Sequence, residues 1–501
     1  MNFLNHLKAE ANQAYTENGA LTHASSGTDC LDLFFRAGGM RKADETAIAN
    51  AVIRAYAEDP EKTMKILFFV RDVRGGLGER RFFRTAMRTL AAIAPDAVCR
   101  NLPLVAEYGR FDDLCALLGT SCEAQALAVI REQLQSDCTG MTNGEPVSLL
   151  AKWLPSVNAS SAETRAAGKT VAKAMGMSEK QYRHTLSALR NYTDIIENRL
   201  RVCDYTFDYG KQTSGAMFKY RKAFIRNDGE RYQAYLGAVE RGEAIMHADT
   251  LYPYDIVHAC GDPSQKQWCV FRKTDALPET ERRALDAAWR NLPAYGTDAE
   301  NTLAVVDGSG SMYTNNCSPR PIDAALSLGI YFAEHCKGAF ANHFITFSMH
   351  PQLVEVRGRD IAEKVWNAAS HNECMNTDLE AVFDLILRTA VRNRIPQREI
   401  PKRLIIISDM EFDMCITGGN RQTLFDAMRQ NYAAHGYRLP EIVFWNVASR
   451  HQNIPVSRSE TGAALVSGAS PAIFDMVIGE EISPEIVMNR IIGSERYAKI
   501  S

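Results

Sequence analysis

The sequence TLAVVDGSGS at residues 302–311 indicates the fold of the C-terminal part of this chain. Its short run of apolar and β-branched residues is typical of a buried strand, and it leads directly into a turn of glycine and serine. The strongest strand pattern of the chain, RLIIIS at 403–408, is followed in the same way by Asp409. Because an open parallel sheet presents the carboxyl ends of its strands at one edge, we expect these polar residues to lie together.

Strand and helix patterns alternate around these two runs. Such alternation is expected where helical crossovers join parallel strands, so residues 296–501 are predicted to form an α/β, Rossmann-like domain. Further strands are predicted at 342–347 and 441–447, and helices at 322–335, 360–370, 377–391, 423–433 and 484–492.

The first part of the chain, residues 1–295, has a different pattern. Apolar residues recur at helical spacing between short breaks, and no strand alternation is evident, which predicts an all-α domain. A succession of short helices fits a solenoid of helix pairs and an irregular bundle equally well. The clearest helices are predicted at 45–57, 60–70, 79–93, 122–134, 178–192, 228–240 and 278–292.

The composition is that of a globular, multidomain protein. The 501 residues are 46% hydrophobic and carry a formal charge of −3, which excludes a disordered chain and a wholly basic nucleic-acid coat. No apolar run is long enough for a membrane span, and the N-terminus lacks the apolar core of a secretory signal. The 12 cysteines include no C-x-x-C pair. We therefore expect a cytoplasmic protein with reduced thiols and no membrane partner.

Oxygen-bearing side chains are concentrated where the strands end. The turn after residue 306 is a D-x-S-x-S run, residues 376–379 read NTDL at a helix start, and an acid follows residue 408. Carboxylate and hydroxyl oxygens suit a hard cation, Mg²⁺ first, with Mn²⁺ or Ca²⁺ as alternatives. The candidate metal residues are Asp307, Ser309, Ser311, Thr377 and Asp409.

This set, in this order and in these contexts, resembles the metal-ion-dependent adhesion site of the von Willebrand factor A domain family. The resemblance implies that Ser309, Ser311 and Thr377 reach the cation, that Asp307 and Asp409 complete the charge, and that an open position accepts an acidic group from a partner protein. Two alternatives remain at this point. The two aspartates could instead cap loops, and Glu411 with its neighbour Asp413 could either join the site or face water.

No catalytic motif accompanies the candidate metal site. The sequence has no G-x-S-x-G elbow, no H-E-x-x-H and no spaced carboxylate pair that would indicate hydrolysis. We therefore interpret the protein as a binding protein and not as an enzyme.

Basic residues are concentrated in two segments of the first part. Residues 152–226 hold 14 Lys and Arg against 6 Asp and Glu, and residues 62–88 hold 8 against 2, although residues 1–300 are neutral with 38 of each. Such clusters can neutralise phosphates, and interleaved aromatic rings can stack on bases, unless the charges coat solvated faces and the rings fill the core. The aromatic candidates are Tyr182, Tyr192, Tyr205, Phe207, Tyr209, Phe218, Tyr220 and Phe224, and the candidate RNA-binding residues are Arg71, Arg74, Arg80, Arg81, Lys169, Lys173, Arg183, Arg190, Lys211, Lys219, Arg221, Lys222 and Arg226.

The two-part layout resembles the TROVE-domain proteins, the Ro autoantigen family, and an uncharacterised family with the same arrangement. The likeness is carried by residues 67–80, 151–155, 217–224 and 251–257 together with the A-domain motif. It implies a HEAT-like helical-repeat domain and a ribonucleoprotein that binds small structured RNA or single-stranded 3′ ends. The alternative that the residues leave open is a metal-dependent protein-interaction scaffold without RNA.

Overall fold

A computed structural model describes residues 7, 11–262, 271–314, 318–347, 350–373, 378–413, 424–479 and 482–501. Its contacts divide the chain into two units. The α/β unit comprises the residues up to Asp44 together with Thr213–Ser494, and the helical unit comprises Glu45–Gln212 with Glu495–Ser501.

The helices and strands follow one another in an order that changes character near residue 300. The strands are β1 (Gln13–Tyr15), β2 (Leu21–His23), β3 (Thr302–Asp307), β4 (His343–Phe347), β5 (Gln352–Glu355), β6 (Arg403–Ser408), β7 (Glu441–Asn446) and β8 (Ala463–Ser467). The helices are α1 (Asp29–Ala37), α2 (Glu45–Glu58), α3 (Pro60–Arg71), α4 (Arg80–Ile93), α5 (Pro95–Asn101), α6 (Val105–Tyr108), α7 (Glu123–Asn143), α8 (Leu150–Trp153), α9 (Ala162–Ala174), α10 (Glu179–Tyr192), α11 (Ile196–Arg201), α12 (Ser214–Asn227), α13 (Gly229–Glu240), α14 (Pro253–Ala259), α15 (Glu279–Arg290), α16 (Pro321–His335), α17 (Ile361–Ala369), α18 (Leu379–Asn393), α19 (Leu424–Ala434), α20 (Ile473–Val477) and α21 (Pro484–Ile492).

Local signals explain where helices of the helical unit begin. Asp59 accepts a hydrogen bond from Lys62 N, and Pro60 occupies the first turn of α3, where its missing N–H costs nothing. Ser178 and Gln181 form a reciprocal capping box at the start of α10. Each cap satisfies backbone groups that a helix cannot satisfy internally, so these boundaries could be predicted from the sequence.

The core of the helical unit combines aromatic rings packed edge to face with a buried ion pair. The ring of Phe68 meets those of Phe83 and Tyr108 edge to face at 5.4 and 5.3 Å between centroids. Arg71 Nε donates to Asp113 Oδ2 at 2.7 Å, and both side chains are almost completely buried. The guanidinium group of Arg71 is therefore part of the interior.

The last seven residues return to the helical unit. Tyr497 Oη donates to Asp72 Oδ2 at 3.0 Å, and Arg496 Nη2 donates to Asp72 Oδ1 at 2.7 Å. Asp72 is fully buried, so these donors compensate a carboxylate that would otherwise be costly in the interior. The C-terminus is thus a structural part of a unit whose other residues precede residue 213.

Strands β3 to β8 form a six-stranded sheet of order β5-β4-β3-β6-β7-β8 in the α/β unit, and β1 and β2 of the same unit pair separately. All pairs in it are parallel except the antiparallel edge pair of β4 and β5. The central strands β3 and β6 are buried along their whole length and run side by side, with Val306 opposite Ile407. Their carboxyl ends therefore open at the same place.

The structure confirms the coarse prediction of helical elements followed by an α/β arrangement, and it differs in detail. Strands β1 and β2 form a short hairpin in the part predicted to be all-helical, and β5 and β8 were not predicted. Helices α14 and α15 pack against α16 and α17, and thus belong to the α/β unit. The predicted domain boundary between residues 295 and 296 is placed where the secondary-structure pattern changes, whereas the two units are defined by contacts between residues. That domain boundary therefore stays a prediction.

Among the described residues, none of the helices combines the length with the apolar character that crossing a bilayer requires.

The carboxyl group of Asp255 in α14 makes the stability of the α/β unit dependent on pH. Burial raises its pKa from 3.8 to about 6, so the folded state favours the protonated form. The contribution of this carboxyl group to the free energy of unfolding is then fully present below pH 4, and it is lost as the pH rises through 6. We expect Asp255→Asn to stabilise the unit by about 1–3 kcal/mol at pH 7.5 and by much less at pH 4.

Thermal unfolding of the variant and the unchanged chain across this pH range measures the effect. An equal difference in melting temperature at both pH values would contradict the burial of an ionised Asp255.

Candidate metal centre

The first carboxylate of the candidate site organises the two turns that follow the central strands. Asp307 ends β3 and is completely buried. Its Oδ1 accepts from Ser309 N at 2.8 Å, and its Oδ2 accepts from Ser408 Oγ at 2.6 Å. One side chain therefore ties the turn after β3 to the end of β6, which is the contact that the parallel pairing of these strands makes possible.

The hydroxyls of the D-x-S-x-S run lie in a row that leads to the second carboxylate. Ser309 Oγ is 3.1 Å from Ser311 Oγ, and Ser311 Oγ donates to Asp409 Oδ2 at 2.9 Å. Asp409 is 2% exposed. Four of the five candidate residues thus form one hydrogen-bonded network, and the fifth, Thr377, lies outside the described residues, so its role stays a prediction.

Two buried carboxylates lie in one small network, where a nearby positive charge would stabilise their ionised forms. Burial raises the pKa of Asp307, and the nearby charge of Asp409 raises it further. Burial also raises the pKa of Asp409, although Arg450 opposes that shift. A divalent cation would favour the ionised form of both groups because it offsets their desolvation and their mutual repulsion.

A buried amide oxygen lies beside the same turn. Asn372 Nδ2 donates to Tyr313 Oη at 2.6 Å, whereas Asn372 Oδ1 has no hydrogen-bond partner among the residues that the structure describes. A Cβ atom on Gly308 would lie 2.6 Å from Asn372 Oδ1, so this oxygen sits directly against the turn. Carboxylate, hydroxyl and amide oxygens are the donors that hard divalent cations prefer, and the residues present therefore fit Mg²⁺, Mn²⁺ or Ca²⁺.

Arg450 supplies a positive charge next to Asp409. Its Nη2 lies 2.8 Å from Asp409 Oδ2, and its Nη1 lies 2.9 Å from Glu17 Oε2. The guanidinium group is therefore shared between an acid of the candidate site and an acid of the N-terminal segment. Bound to Asp409 in this way, it partly neutralises the carboxylate that a cation would use.

Glu411 does not face water. It is 2% exposed and accepts hydrogen bonds from Asn453 Nδ2 and Glu17 N, both at 2.8 Å. The Nδ1 atom of His451 lies 2.9 Å from Glu411 Oε1. Ligand atoms of Glu17, Glu411 and His451 lie within 4.8 Å of one another, a second group of potential metal ligands that the sequence did not reveal.

The candidate RNA-binding residues divide into exposed and internal side chains. Arg71 pairs with Asp113 in the interior. The Arg221 side chain is 11% exposed and lies near Glu281. Arg190 donates to the carbonyl groups of Ala151 and Leu154. These guanidinium groups serve internal contacts, which corrects the expectation for them. The exposed candidates are Arg74, Arg80, Arg81, Lys169, Lys173, Arg183 and Lys211 in the helical unit and Lys219, Lys222 and Arg226 in the α/β unit.

Four of the eight aromatic candidates are not available to stack on bases. Tyr182, Phe207, Tyr209 and Phe224 are buried, so for these rings the core interpretation holds. Tyr192 is 39% exposed. The remaining candidates, Tyr205, Phe218 and Tyr220, are half-buried.

The fold and the network together define a protein with a helical unit and an α/β unit, and with a candidate cation site at the carboxyl edge of the sheet. Residues 16–134 and 125–294 match the family described as "Domain of unknown function (DUF2828)", and residues 301–495 match "Domain of unknown function (DUF7788)". The chain belongs to the DUF2828 family.

A similar protein is the "Uncharacterized protein L728" of Acanthamoeba polyphaga mimivirus. It is 26% identical over 527 residues, an alignment that covers 96% of this chain and 87% of the viral protein. The similarity thus extends through both units.

Proposed function

We propose that this protein is a non-catalytic RNA-binding scaffold whose α/β unit holds a divalent cation. The observation that carries the proposal is the row of Ser309, Ser311 and Asp409 oxygens beside the buried carboxylate of Asp307. In the proposal this unit is a von Willebrand factor A-like domain, and the helical elements are a HEAT-like domain of the TROVE kind. The location is cytoplasmic.

The cation is held by the oxygens of Ser309, Ser311 and Asp409, with Asp307 positioning the turn and Thr377 as a further candidate ligand. Bound there, Mg²⁺ supplies a positive charge that can accept an anionic group from a partner. The two buried carboxylates provide the negative charge that retains it.

RNA is bound in this proposal by exposed basic side chains of the helical unit. Lys169 and Lys173 lie on α9 and Arg183 lies on α10, two helices that pack against each other. All three side chains are exposed. Contacts of this kind neutralise phosphates without reading bases, and each releases condensed counterions when RNA binds.

Replacement of Lys169, Lys173 and Arg183 by alanine tests the RNA proposal. We expect the triple variant to bind a structured RNA with a single-stranded 3′ tail more weakly whatever the RNA sequence. The salt dependence of the affinity should become less steep, by about one in log–log slope for each lost phosphate contact. Fluorescence anisotropy across a salt series measures both effects.

The matched control removes three exposed basic residues elsewhere, as Lys337→Ala, Arg357→Ala and Arg388→Ala. This variant should bind RNA as the unchanged chain does. A folded triple variant of the helical unit with unchanged slope would contradict RNA binding at α9 and α10.

The second candidate function is a metal-dependent protein-interaction scaffold without RNA. It is favoured by the burial of Tyr182, Phe207, Tyr209 and Phe224, because rings that fill a core cannot stack on bases. In this alternative the bound cation captures an acidic side chain of a partner protein. Absence of RNA binding at low salt, together with Mg²⁺-dependent retention of protein partners, would favour it.

A further inference from the structure

A cavity of about 120 Å³ adjoins the candidate metal centre. Ser311 and Asp409 of the candidate site contribute to its wall, and so do three basic residues, Arg41, Lys42 and Arg450. All of these residues belong to the α/β unit. A cation site and three basic side chains therefore border one small volume.

Two glycines hold the segment that carries Arg41 and Lys42 against the carboxyl edge of the sheet. Gly38 N donates to Ser467 Oγ at 3.1 Å, and Ser449 N donates to Gly39 O at 3.0 Å. A Cβ atom on Gly38 would lie 2.5 Å from Gly468 N, and one on Gly39 would lie 2.5 Å from Ser449 N. The close approach requires glycine at both positions, so the two basic residues are anchored to the sheet.

The three basic residues differ in how firmly they are held. Arg41 Nη1 donates to Val447 O at 3.4 Å, Arg450 connects Asp409 with Glu17, and Lys42 is exposed. Guanidinium groups match the geometry of phosphate oxygens with two parallel N–H donors, and an ammonium group adds a point charge. The set suits an anion with several oxygens and more than one negative charge.

We propose that this cavity binds a phosphate group, which contacts the cation at Ser309, Ser311 and Asp409 on one side and Arg41, Lys42 and Arg450 on the other. The inference rests on the metal centre of the proposed function and names its ligand. A carboxylate carries one charge and two oxygens, whereas a phosphate monoester carries nearly two charges and three terminal oxygens. The number of positive groups around the cavity favours the phosphate, although Glu17 takes part of the charge of Arg450.

Arg450 links the two binding events. In the structure it neutralises Asp409, a charge that the cation also needs. Replacement by glutamine should therefore raise the affinity for Mg²⁺ measured alone, and it should lower the affinity for phosphate in the presence of Mg²⁺. A residue that only stabilised the fold would not shift these two affinities in opposite directions.

The test uses the full chain and begins with Mg²⁺ binding by isothermal titration calorimetry. Tetrauridylate with a fluorophore at its 3′ end, with a 5′-phosphate or a 5′-hydroxyl, is then titrated in the presence of Mg²⁺. Inorganic phosphate and acetate at equal ionic strength serve as competitors. We expect inorganic phosphate to displace the oligonucleotide from this site and acetate to be at least 10-fold less effective.

The double variant Arg41→Ala/Lys42→Ala should weaken inhibition by inorganic phosphate at least 10-fold. The control Arg398→Ala/Lys402→Ala removes two exposed basic residues that precede β6, and it should have no effect. Tighter binding of the 5′-phosphate oligonucleotide than of the 5′-hydroxyl oligonucleotide would support the inference, because only the terminal monoester carries nearly two charges and three terminal oxygens. Equal binding of the two oligonucleotides would contradict it, because a phosphodiester, like a carboxylate, carries a single charge.

The inference would be overturned if acetate displaced the oligonucleotide as well as inorganic phosphate does. It would also be overturned if inorganic phosphate inhibited the folded Arg41→Ala/Lys42→Ala variant as strongly as the unchanged chain. Neither result would affect Mg²⁺ binding. Absence of Mg²⁺ binding by the unchanged chain would instead overturn the metal centre of the proposed function. Equal melting temperatures of the variants and the unchanged chain establish that folding is preserved.

Discussion

Replacement of Asp409 by asparagine should lower the affinity for Mg²⁺ by about 10- to 100-fold. The asparagine keeps the size of the side chain but removes one of the two negative charges that would hold the cation. Substitution of a residue that only hydrogen-bonds to a metal ligand typically lowers metal affinity by about 10- to 100-fold. Loss of a charged ligand should cost at least as much, because the charge of the ligands sets the affinity for hard cations. Isothermal titration calorimetry of Mg²⁺ binding to the full chain measures the loss of affinity.

Two control variants give this result its meaning. Asp298→Asn removes an exposed acid that precedes β3, at the other end of the strand from the candidate site. His451→Ala removes a potential ligand of the separate group that contains Glu17 and Glu411. Neither should change the affinity for Mg²⁺. A loss with His451→Ala and none with Asp409→Asn would place the cation in that second group.

Replacement of Arg71 by methionine should destabilise the helical unit by about 3 kcal/mol. The change removes one of the two arginine partners of the buried Asp113. The other partner remains, since Arg84 Nε still donates to Asp113 Oδ1 at 2.6 Å. Breaking a buried ion pair from one side is costly since the remaining charge cannot recover its hydration. Hydrogen exchange measured by mass spectrometry on peptides of α3 and α4 reports this stability.

Arg80→Met is the matched control, because Arg80 is an exposed candidate for RNA binding from the same basic segment. It should leave hydrogen exchange in these helices unchanged. Equal protection of the two variants would show that Arg71 is not needed inside the unit, and would return it to the RNA-binding candidates.

Much of the fold could be predicted because its signals are local. The apolar runs of β3 and β6 and the Asp59-Pro60 start of α3 each lie within a few adjacent residues. Strand β8 has the sequence AALVS, whose small residues carry little strand signal, and β5 is a four-residue edge strand with only one buried residue. Their places depend on tertiary pairing, which a local pattern does not contain.

The candidate site shows the same limit. The D-x-S-x-S run brought Ser309 and Ser311 together by short spacing, and the ends of β3 and β6 added Asp409. Arg41 is held at the site by contacts with residues some 400 positions later, such as its hydrogen bond to Val447 O. No spacing rule connects such positions.

Charge counts alone could not separate surface cations from internal ones. Arg71 and Arg80 contribute equally to the basic segment 62–88, yet one pairs with Asp113 in the core and the other is exposed. The acid that decides this lies 42 positions away from Arg71. The C-terminal Arg496 and its partner Asp72 are separated by 424 positions.

In the proposed function Ser309, Ser311 and Asp409 hold a divalent cation. The anomalous scattering of crystals of the full chain grown with Mn²⁺ would locate that cation. The expected result is one strong peak within coordination distance of these three side chains, about 2.0–2.3 Å from their oxygens. A peak only between Glu17, Glu411 and His451, or no peak in crystals saturated with Mn²⁺, would contradict the claim.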